Sequence, residues 1–384
     1  MLIAGVYWHE RGPEHPTVKH PSKSIASKAP ARAAGGNPAA LSSVVERYNA
    51  IVGKSASEAA WLKRPARLDP ETSLPGAAES GGGEALVLPA AVPAILNDLR
   101  HEAAQDGLEL TVQPQAGLRS GNASDLQVAL LRSKHRVCAW RIRQVPRLYR
   151  AAIVIDDLGQ DMQRTRALLA LPYPLTFSIL PHLPASRETS AAAALAGREV
   201  MLHLPMEPIN EKLKPGEGAI VVGMRGPEVA RIVESDLESV PNAAGVNNHM
   251  GSRATSDPAL MAAVMKELSS RRLYFIDSRT APSTVALDVA RRAGIPAFYR
   301  SVFLDDTETV DYTLAQLRSF RDLVERQGVA LAIGHPHPTT IAALTAFLPQ
   351  LDRDDIEVVP ASQLVRLPEV ARLSEQAANE AKHR

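Results

Sequence analysis

The chain has 384 residues, is 45% hydrophobic and 22% charged, and carries a formal net charge of +1. These values suit a soluble globular protein with one large domain and room for a smaller one, and they give no electrostatic case for nucleic acid. The single cysteine, Cys138, excludes an intramolecular disulfide framework and a cysteine-built zinc site.

The chain opens on the apolar stretch MLIAGVYW, which is too short for a signal peptide and lacks a basic start. It reads either as the outer end of a truncated membrane anchor or as an incidental apolar start, and it is the only route to a membrane that the sequence offers. Residues 9–84 are rich in Pro, Ala, Ser, Gly and Lys, a linker composition. One helical patch interrupts them around NPAALSSVVERYNAIVGKSA, where Leu41, Val44, Val45, Tyr48 and Ile51 fall on one face. Residues 1–84 are thus expected to be a candidate anchor and a low-complexity linker. Residues 85–148 combine a helical period in AAVPAILNDLRHEAAQDG with short alternating runs in LELTVQ, LQVALLRS and HRVCAWRIRQV. They predict a small α+β module with no catalytic constellation.

From residue 150 the texture changes. Strand candidates are AAIVI (151–155), LTFSIL (175–180), EVMLHL (199–204), AGVNNH (244–249), LYFIDS (273–278), AFYRSVF (297–303), VALAIG (329–334) and IEVV (356–359). Helical patterns lie between most of them, as in MQRTRALLAL, PEVARIVESDLESV, DPALMAAVMKELSSR, VALDVARRAG and VDYTLAQLRSFRDLVERQG. Seven or eight β-α units predict a parallel sheet over residues 150–366, closed into a barrel rather than doubly wound, with a tail over 367–384.

Polar residues break these apolar runs at their carboxyl ends. Asp156 and Asp157 end the first strand, His182 follows the second, and His203 ends the third with Glu207 beyond it. Asn247, Asn248 and His249 end the fourth; Asp277, Ser278 and Arg279 the fifth. Asp305 and Asp306 follow the sixth, and His335 and His337 the seventh. In a parallel barrel all of them gather on one rim, the face on which barrel enzymes build their sites. Asp and His without Cys suit a borderline divalent cation such as zinc, manganese or nickel, with an open position for an activated water. One carboxylate of the Asp156–Asp157 pair can then bind metal while the other takes a proton; the alternative is a helix cap with a first-turn acid.

In GHPHP, histidines two apart on an extended segment point to opposite sides, so one faces the site as general acid while the other packs or orients. NNHMGSR offers amides, an imidazole and a close-approach glycine. DSRT offers an Asp–Arg pair, either orienting catalytic groups or forming a buried salt bridge. The connection 208–225, with Gly216 and Gly218, reads as a covering loop or a surface hairpin.

In this order, IVIDDLG, EVMLHLPMEP, GVNNHMGSR, FIDSRT and AIGHPHP resemble the divergent polysaccharide deacetylase family, a branch of the NodB-like carbohydrate esterases, over about residues 150–366. The resemblance implies a distorted (β/α) barrel and a divalent metal, zinc in the first instance. It implies Asp156 as base, Asp157 and His203 as metal ligands, and His335, rather than His337, as general acid. The superfamily's H-[S/T]-x-x-H spacing is absent: Glu207 stands where a second histidine is expected. His249 is therefore expected to complete the site, with Glu207 the alternative. Asp277 and Arg279 are expected to tune the base and acid, and Glu207, Asn248 and His337 to orient or bind substrate.

The implied activity is removal of acetyl groups from an N-acetylated sugar, such as a cell-wall glycan, in a bacterial cell envelope or periplasm. The rival readings are a non-catalytic envelope barrel that binds glycan or protein, and a metal hydrolase for another ester or amide. No tryptophan follows Trp140 and aromatics make up 4% of the chain, which favours a short substrate over a long groove. Tyr173, Tyr274, Phe275 and Tyr299 are the candidate sugar platforms. Nothing in the sequence specifies an oligomeric state.

Overall fold

A computed structural model describes residues 38–54, 59–69, 82–115 and 125–367. The candidate anchor and the tail beyond residue 367 lie outside the described residues. Among those described, no helix is long and apolar enough to cross a membrane.

The small module is larger than its sequence suggested. Helix α1 (Pro38–Lys54) and strand β1 (Ala60–Arg64), expected within a linker, belong to it. With β2 (Gly83–Val87), α2 (Val92–Asp106), β3 (Glu109–Gln115), β4 (Asp125–Arg132) and β5 (His135–Gln144), they form a five-stranded sheet in the order β1-β2-β5-β4-β3. Val44, Val45, Tyr48 and Val52 of α1 are buried against Ile95 and Leu99 of α2 and Val128, Leu130 and Trp140 of the sheet. Two buried polar bonds fix that packing: the Tyr48 hydroxyl donates to Asp106 (3.1 Å) and the Trp140 indole to Asn49 (2.8 Å). Each large side chain so buried is worth roughly 1.5–3 kcal/mol.

The second sheet holds the predicted barrel strands: β6 (Tyr149–Leu158), β7 (Thr176–Ile179), β8 (Glu199–Met206), β9 (Ala243–Met250), β10 (Tyr274–Asp277), β11 (Ala297–Tyr299), β12 (Val302–Phe303), β13 (Val329–Gly334) and β14 (Ile356–Val358). All pairings are parallel, in the order β11-β10-β9-β8-β7-β6-β13-β12, with β14 beside the start of β6. Helices α3 (Met162–Leu169), α4 (Ser186–Leu195), α5 (Gly226–Ser239), α6 (Pro258–Ser270), α7 (Ala286–Arg292), α8 (Val310–Gln327) and α9 (Pro338–Arg353) supply the crossovers. The fold is a curled parallel α/β barrel.

AFYRSVF, expected as one strand, is two. β11 pairs with β10 and β12 with β13, so the chain steps between the two edges of the sheet at Arg300 and Ser301. The Arg300 amide donates to Asp277 O (2.9 Å) and the Ser301 amide to Leu331 O (2.7 Å), which holds the seam without a continuous ladder.

Strand alternation separates outside from inside. Ile153, Ile155, Phe177, Leu202 and Val246 pack outward under the helices. Ala152, Val154, Met201, Tyr274, Ile276, Leu331 and Ile333 point inward. The interior is closed below by α10 (Ala361–Leu364), whose Ala361 and Ser362 amides donate to Thr176 and to Glu199. Gly245 leaves room for the Tyr274 ring, which a Cβ would meet at 2.4 Å. The next inward positions upward are Asp156, Ser178, His203, Asn247, Ser278 and His335. The site is therefore the uppermost interior layer.

The module is clamped to the opposite, amino-terminal end. Asp355, in the turn before β14, accepts from Arg143 (2.9 and 3.1 Å) and from Lys63. Arg147 donates to Gln327 O, just before β13.

Candidate metal and acid–base site

Two adjacent residues of a regular strand face opposite ways. Asp156 and Asp157 escape this because β6 bulges: Ile155 pairs with Phe177 and Leu158 with Ile179, three steps against two. Asp157 takes φ +57°, a left-handed conformation that Asp tolerates better than most residues. Both carboxylates reach the barrel mouth.

There Asp157 Oδ1 lies 3.2 Å from His203 Nε2 and 3.0 Å from His249 Nδ1, and the two nitrogens are 3.2 Å apart. Asp157 Oδ1 is buried without a hydrogen-bond partner. Three converging lone-pair atoms, one of them an orphaned carboxylate oxygen, form a site for a positive charge. Zinc bonds of about 2.0–2.2 Å put neighbouring tetrahedral ligands roughly 3.4 Å apart, and the tighter octahedral angle about 2.9 Å, so the observed triangle fits a divalent cation. Burial by itself raises the Asp157 carboxyl, but His203 and His249 hold it far below the usual carboxylate range. Burial lowers the His203 imidazole, but Asp156 and Asp157 outweigh it and raise it.

Asn247 organises this cluster. It is fully buried, opposite His203 in the β8–β9 register. Its Oδ1 accepts from Ser178 Oγ (2.6 Å) and His203 Nδ1 (2.8 Å). Its Nδ2 donates to Asp156 Oδ1 (2.8 Å) and more weakly to Ser278 Oγ (3.3 Å). The proton on His203 is thus fixed at Nδ1, leaving Nε2 free to bind a metal. Asp156 is 2% exposed and sits 3.6 Å from His203 Nε2 through Oδ2.

His335 stands across the mouth, its Nε2 4.0 Å from Asp157 Oδ2. Its Nδ1 donates to Asp305 Oδ1 (2.9 Å), while Asp305 Oδ2 accepts from the His335 amide and Thr340 Oγ1, both at 2.6 Å. Burial pulls the His335 imidazole down, but Asp305, Asp156 and Asp157 lift it to about 9. Asp305, His335 and His337 also lie close enough to one another for a metal. Asp305, however, spends both oxygens on bonds that orient His335.

The structure thus brings together Asp156, Asp157, His203, His249 and His335. It does not bring in the others. Glu207 turns to the connection 208–225, accepting from the Val222 amide (2.7 Å) and Arg253 (3.1 Å). Asn248 braces the β9–β10 loops through Met250 O (2.8 Å) and the Ser278 amide (2.9 Å). Asp277 is fully buried and accepts from the Arg279 amide and Thr284 Oγ1, while the Arg279 guanidinium stacks on Tyr299, so the two side chains form no salt bridge. His337 occupies the N-cap position of α9 without a side-chain capping bond; its ring lies 5.9 Å from that of His335, outside the triangle, and its Nδ1 3.5 Å from Glu308. His182 pairs with buried Asp236 (2.7 Å), away from the triangle. The connection 208–225 returns to the end of β8, where Ile220 forms a parallel bridge with Met206.

Tyr274 and Phe275 are buried and Tyr173 bonds Asp352 near the end of α9, so none of these three is a sugar platform. Asn247 and Asp305 stood on the rim in the sequence reading without an assigned role, and Ser178 and Thr340 were not named there. The available signal was parity: Asn247 lies two residues before His249 on one strand.

The sequence profile of the family described as divergent polysaccharide deacetylase matches residues 153–365. An Escherichia coli (strain K12) relative, uncharacterized protein YibQ, is 39% identical over 219 residues, which are 57% of this chain and 68% of that one. An uncharacterized protein of Haemophilus influenzae is 37% identical over 215 residues, 56% of this chain and 76% of that one. Among solved structures, an uncharacterized protein from Agrobacterium tumefaciens C58 superposes with a TM-score of 0.55 at 23% identity, covering 57% of this chain and 89% of that one. The last likeness concerns the fold alone.

Proposed function

The chain belongs to the divergent polysaccharide deacetylase family, and on that premise we propose that it is a metal-dependent hydrolase that removes acetyl groups from an N-acetylated sugar or cell-envelope glycan. One observation carries the reading: the Asp157–His203–His249 triangle lies between a fixed carboxylate, Asp156, and an imidazole raised to about 9, His335. Asp157, His203 and His249 would hold the cation, zinc in the first instance. When bound, it would supply Lewis-acid polarisation of the acetamide carbonyl and acidify water.

The remaining work falls to this chain's residues. Asp156, with Oδ1 tied to Asn247 and Oδ2 facing the triangle, takes the proton from the attacking water. His335 holds a proton at Nε2 and delivers it to the departing amine, while Asp305 keeps the ring oriented and stabilises its charge. Burial of His203 and Asn247 keeps bulk water from competing for the ligand atoms. The same reading puts the protein in a bacterial cell envelope, where such glycans lie.

The test is elemental analysis of the purified chain joined to an acetate-release assay on short chitin and peptidoglycan fragments. The proposal requires a bound divalent metal and acetate release that disappears on chelation and in His203→Ala. Bound metal without acetate release, but with phosphate release from a phosphomonoester supplied alongside, assigns another hydrolase activity. Absence of metal, with behaviour unchanged in Asp157→Ala, assigns a binding barrel.

A further inference from the structure

The rim beside the triangle carries two arginines that the deacetylation chemistry does not use. Arg279 follows β10 with φ +49°, its amide held by the Asp277 carboxylate (2.8 Å). This turn lays its guanidinium on the Tyr299 ring, 3.6 Å from the centroid. Arg300, at the seam between β11 and β12, lies on the Phe303 ring at 3.7 Å. It donates from Nε to Ser278 O (2.7 Å) and from Nη2 to Arg279 O (2.8 Å). Among the described residues, the contacts of the two guanidinium groups are these rings and carbonyls, and Asp306, Asp277 and Asp156 act on Arg300 from beyond salt-bridge distance.

Two features argue against a purely structural pair. A brace for the 278–279 loop needs only Arg300, and the Arg279 side chain holds no loop at all. The two charges also lie close enough to oppose each other: burial first pushes the Arg300 guanidinium down, Asp306 pulls it up, Arg279 pushes it down again, and Asp277 and Asp156 add smaller upward pulls. Stacking fixes each guanidinium plane by its face; Arg300 spends its Nε and one Nη2 hydrogen on the two carbonyls and keeps its Nη1 edge, while Arg279 keeps its whole N–H edge, the geometry that reads a carboxylate or phosphate.

The pair adjoins the reaction centre. Phe303 stacks on Arg300 with one contact and on His335 with another, ring centroids 6.2 Å apart and planes 25° from parallel. Ser278, whose carbonyl holds Arg300, receives the Asn247 amide on its hydroxyl.

We infer that Arg279 and Arg300 form an oxyanion-binding subsite, so that the substrate is an acetylated sugar carrying a carboxylate or a phosphate ester near the acetamide. This inference rests on the deacetylase reading for its acetyl group and on the arginine pair alone for its charge.

The experiment uses the full metal-loaded chain with three substrates: a neutral N-acetylglucosamine tetramer, a tetrasaccharide alternating N-acetylglucosamine with glucuronate, and N-acetylglucosamine 6-phosphate. One anionic substrate is expected to exceed the neutral one in kcat/KM by about tenfold or more, the worth of one or two charge-assisted hydrogen bonds. Whether it is the second or the third identifies carboxylate or phosphate. Arg279→Gln is expected to remove most of that advantage through KM, with kcat on the anionic substrate changed by less than about twofold, and salt is expected to erode it. Equal or better use of the neutral tetramer, or an advantage unchanged in Arg279→Gln, overturns the subsite.

If no substrate releases acetate, the deacetylase reading fails, and calorimetry with the same three compounds still decides the subsite. Tighter binding of an anionic compound that Arg279→Gln abolishes upholds it. Equal binding of all three overturns it.

Discussion

Removing the Asn247 side chain tests the logic of the site most directly. Asn247→Ala takes away one amide that serves four groups, three of them at 2.6–2.8 Å. Ser178, His203 Nδ1 and Asp156 Oδ1 would each lose a partner inside the barrel, at about 1–3 kcal/mol apiece if nothing replaced it. Water entering the vacated space recovers part of this, so the expected loss of stability is roughly 3–5 kcal/mol. The effect on metal is separate. With His203 Nδ1 released, the ring loses its fixed tautomer and orientation, and affinity should fall about 10–100-fold. Urea unfolding in the presence of chelator reads the first effect, and titration with cobalt, followed by its ligand-field absorption, reads the second. Asn248→Ala is the internal control. It lies on the same strand, bonds only loop groups at 2.8–2.9 Å, and should cost about 1–2 kcal/mol with no change in cobalt affinity. Asn247→Ala with cobalt affinity within about twofold of the parent, alongside a weakened Asn248→Ala, would refute the assignment.

Three further outcomes follow from the same geometry. His249→Ala should lose metal affinity by at least about a hundredfold while Glu207→Ala keeps it, because only His249 reaches the triangle; cobalt titration of both separates them. Asp236 is fully buried and burial raises its carboxyl to about 7, so the folded chain keeps a proton that the unfolded chain gives up above its ordinary carboxylate value. Stability should therefore fall, by at most roughly 4 kcal/mol, as pH rises from about 4 to 7 and level off above, a slope that urea unfolding of Asp236→Asn should lack. Asp355→Ala removes the acceptor shared by Lys63 and Arg143 and should separate melting of the amino-terminal module from that of the barrel, visible as a second transition by calorimetry.

The barrel strands were legible because parallel strands covered on both faces read as unbroken apolar runs, and their polar ends mark one rim. What escaped was whatever depends on pairing between distant segments. β1, with sequence AWLKR, is a half-buried edge strand whose partners lie across low-complexity sequence, and β2 joins the sheet parallel to β5, so neither announces itself locally. The seam at Arg300 and Ser301 sits inside a run that alternates like a single strand, and only the hydrogen bonds to β10 and β13 divide it. Glu207 was a credible ligand because it stands where the superfamily's spacing puts a second histidine. But β8 ends at Met206, and the carboxylate turns to the Val222 amide instead.

The adjacent acids illustrate how both levels combine. Asp156 continues the inward parity of Ala152 and Val154, so its place in the mouth follows from the strand pattern alone. Asp157 has the opposite parity and would lie under the outer helices if β6 stayed regular. The bulge opposite β7 and the positive φ move it inward, and the lone Oδ1 it brings there meets His203 and His249. Without a positive charge at that point the three lone-pair atoms would repel one another at 3.0–3.2 Å. The local backbone distortion and the affinity for a cation are therefore two sides of one arrangement: the strand bends to bring the second carboxylate to a place that only a proton or a metal can stabilise.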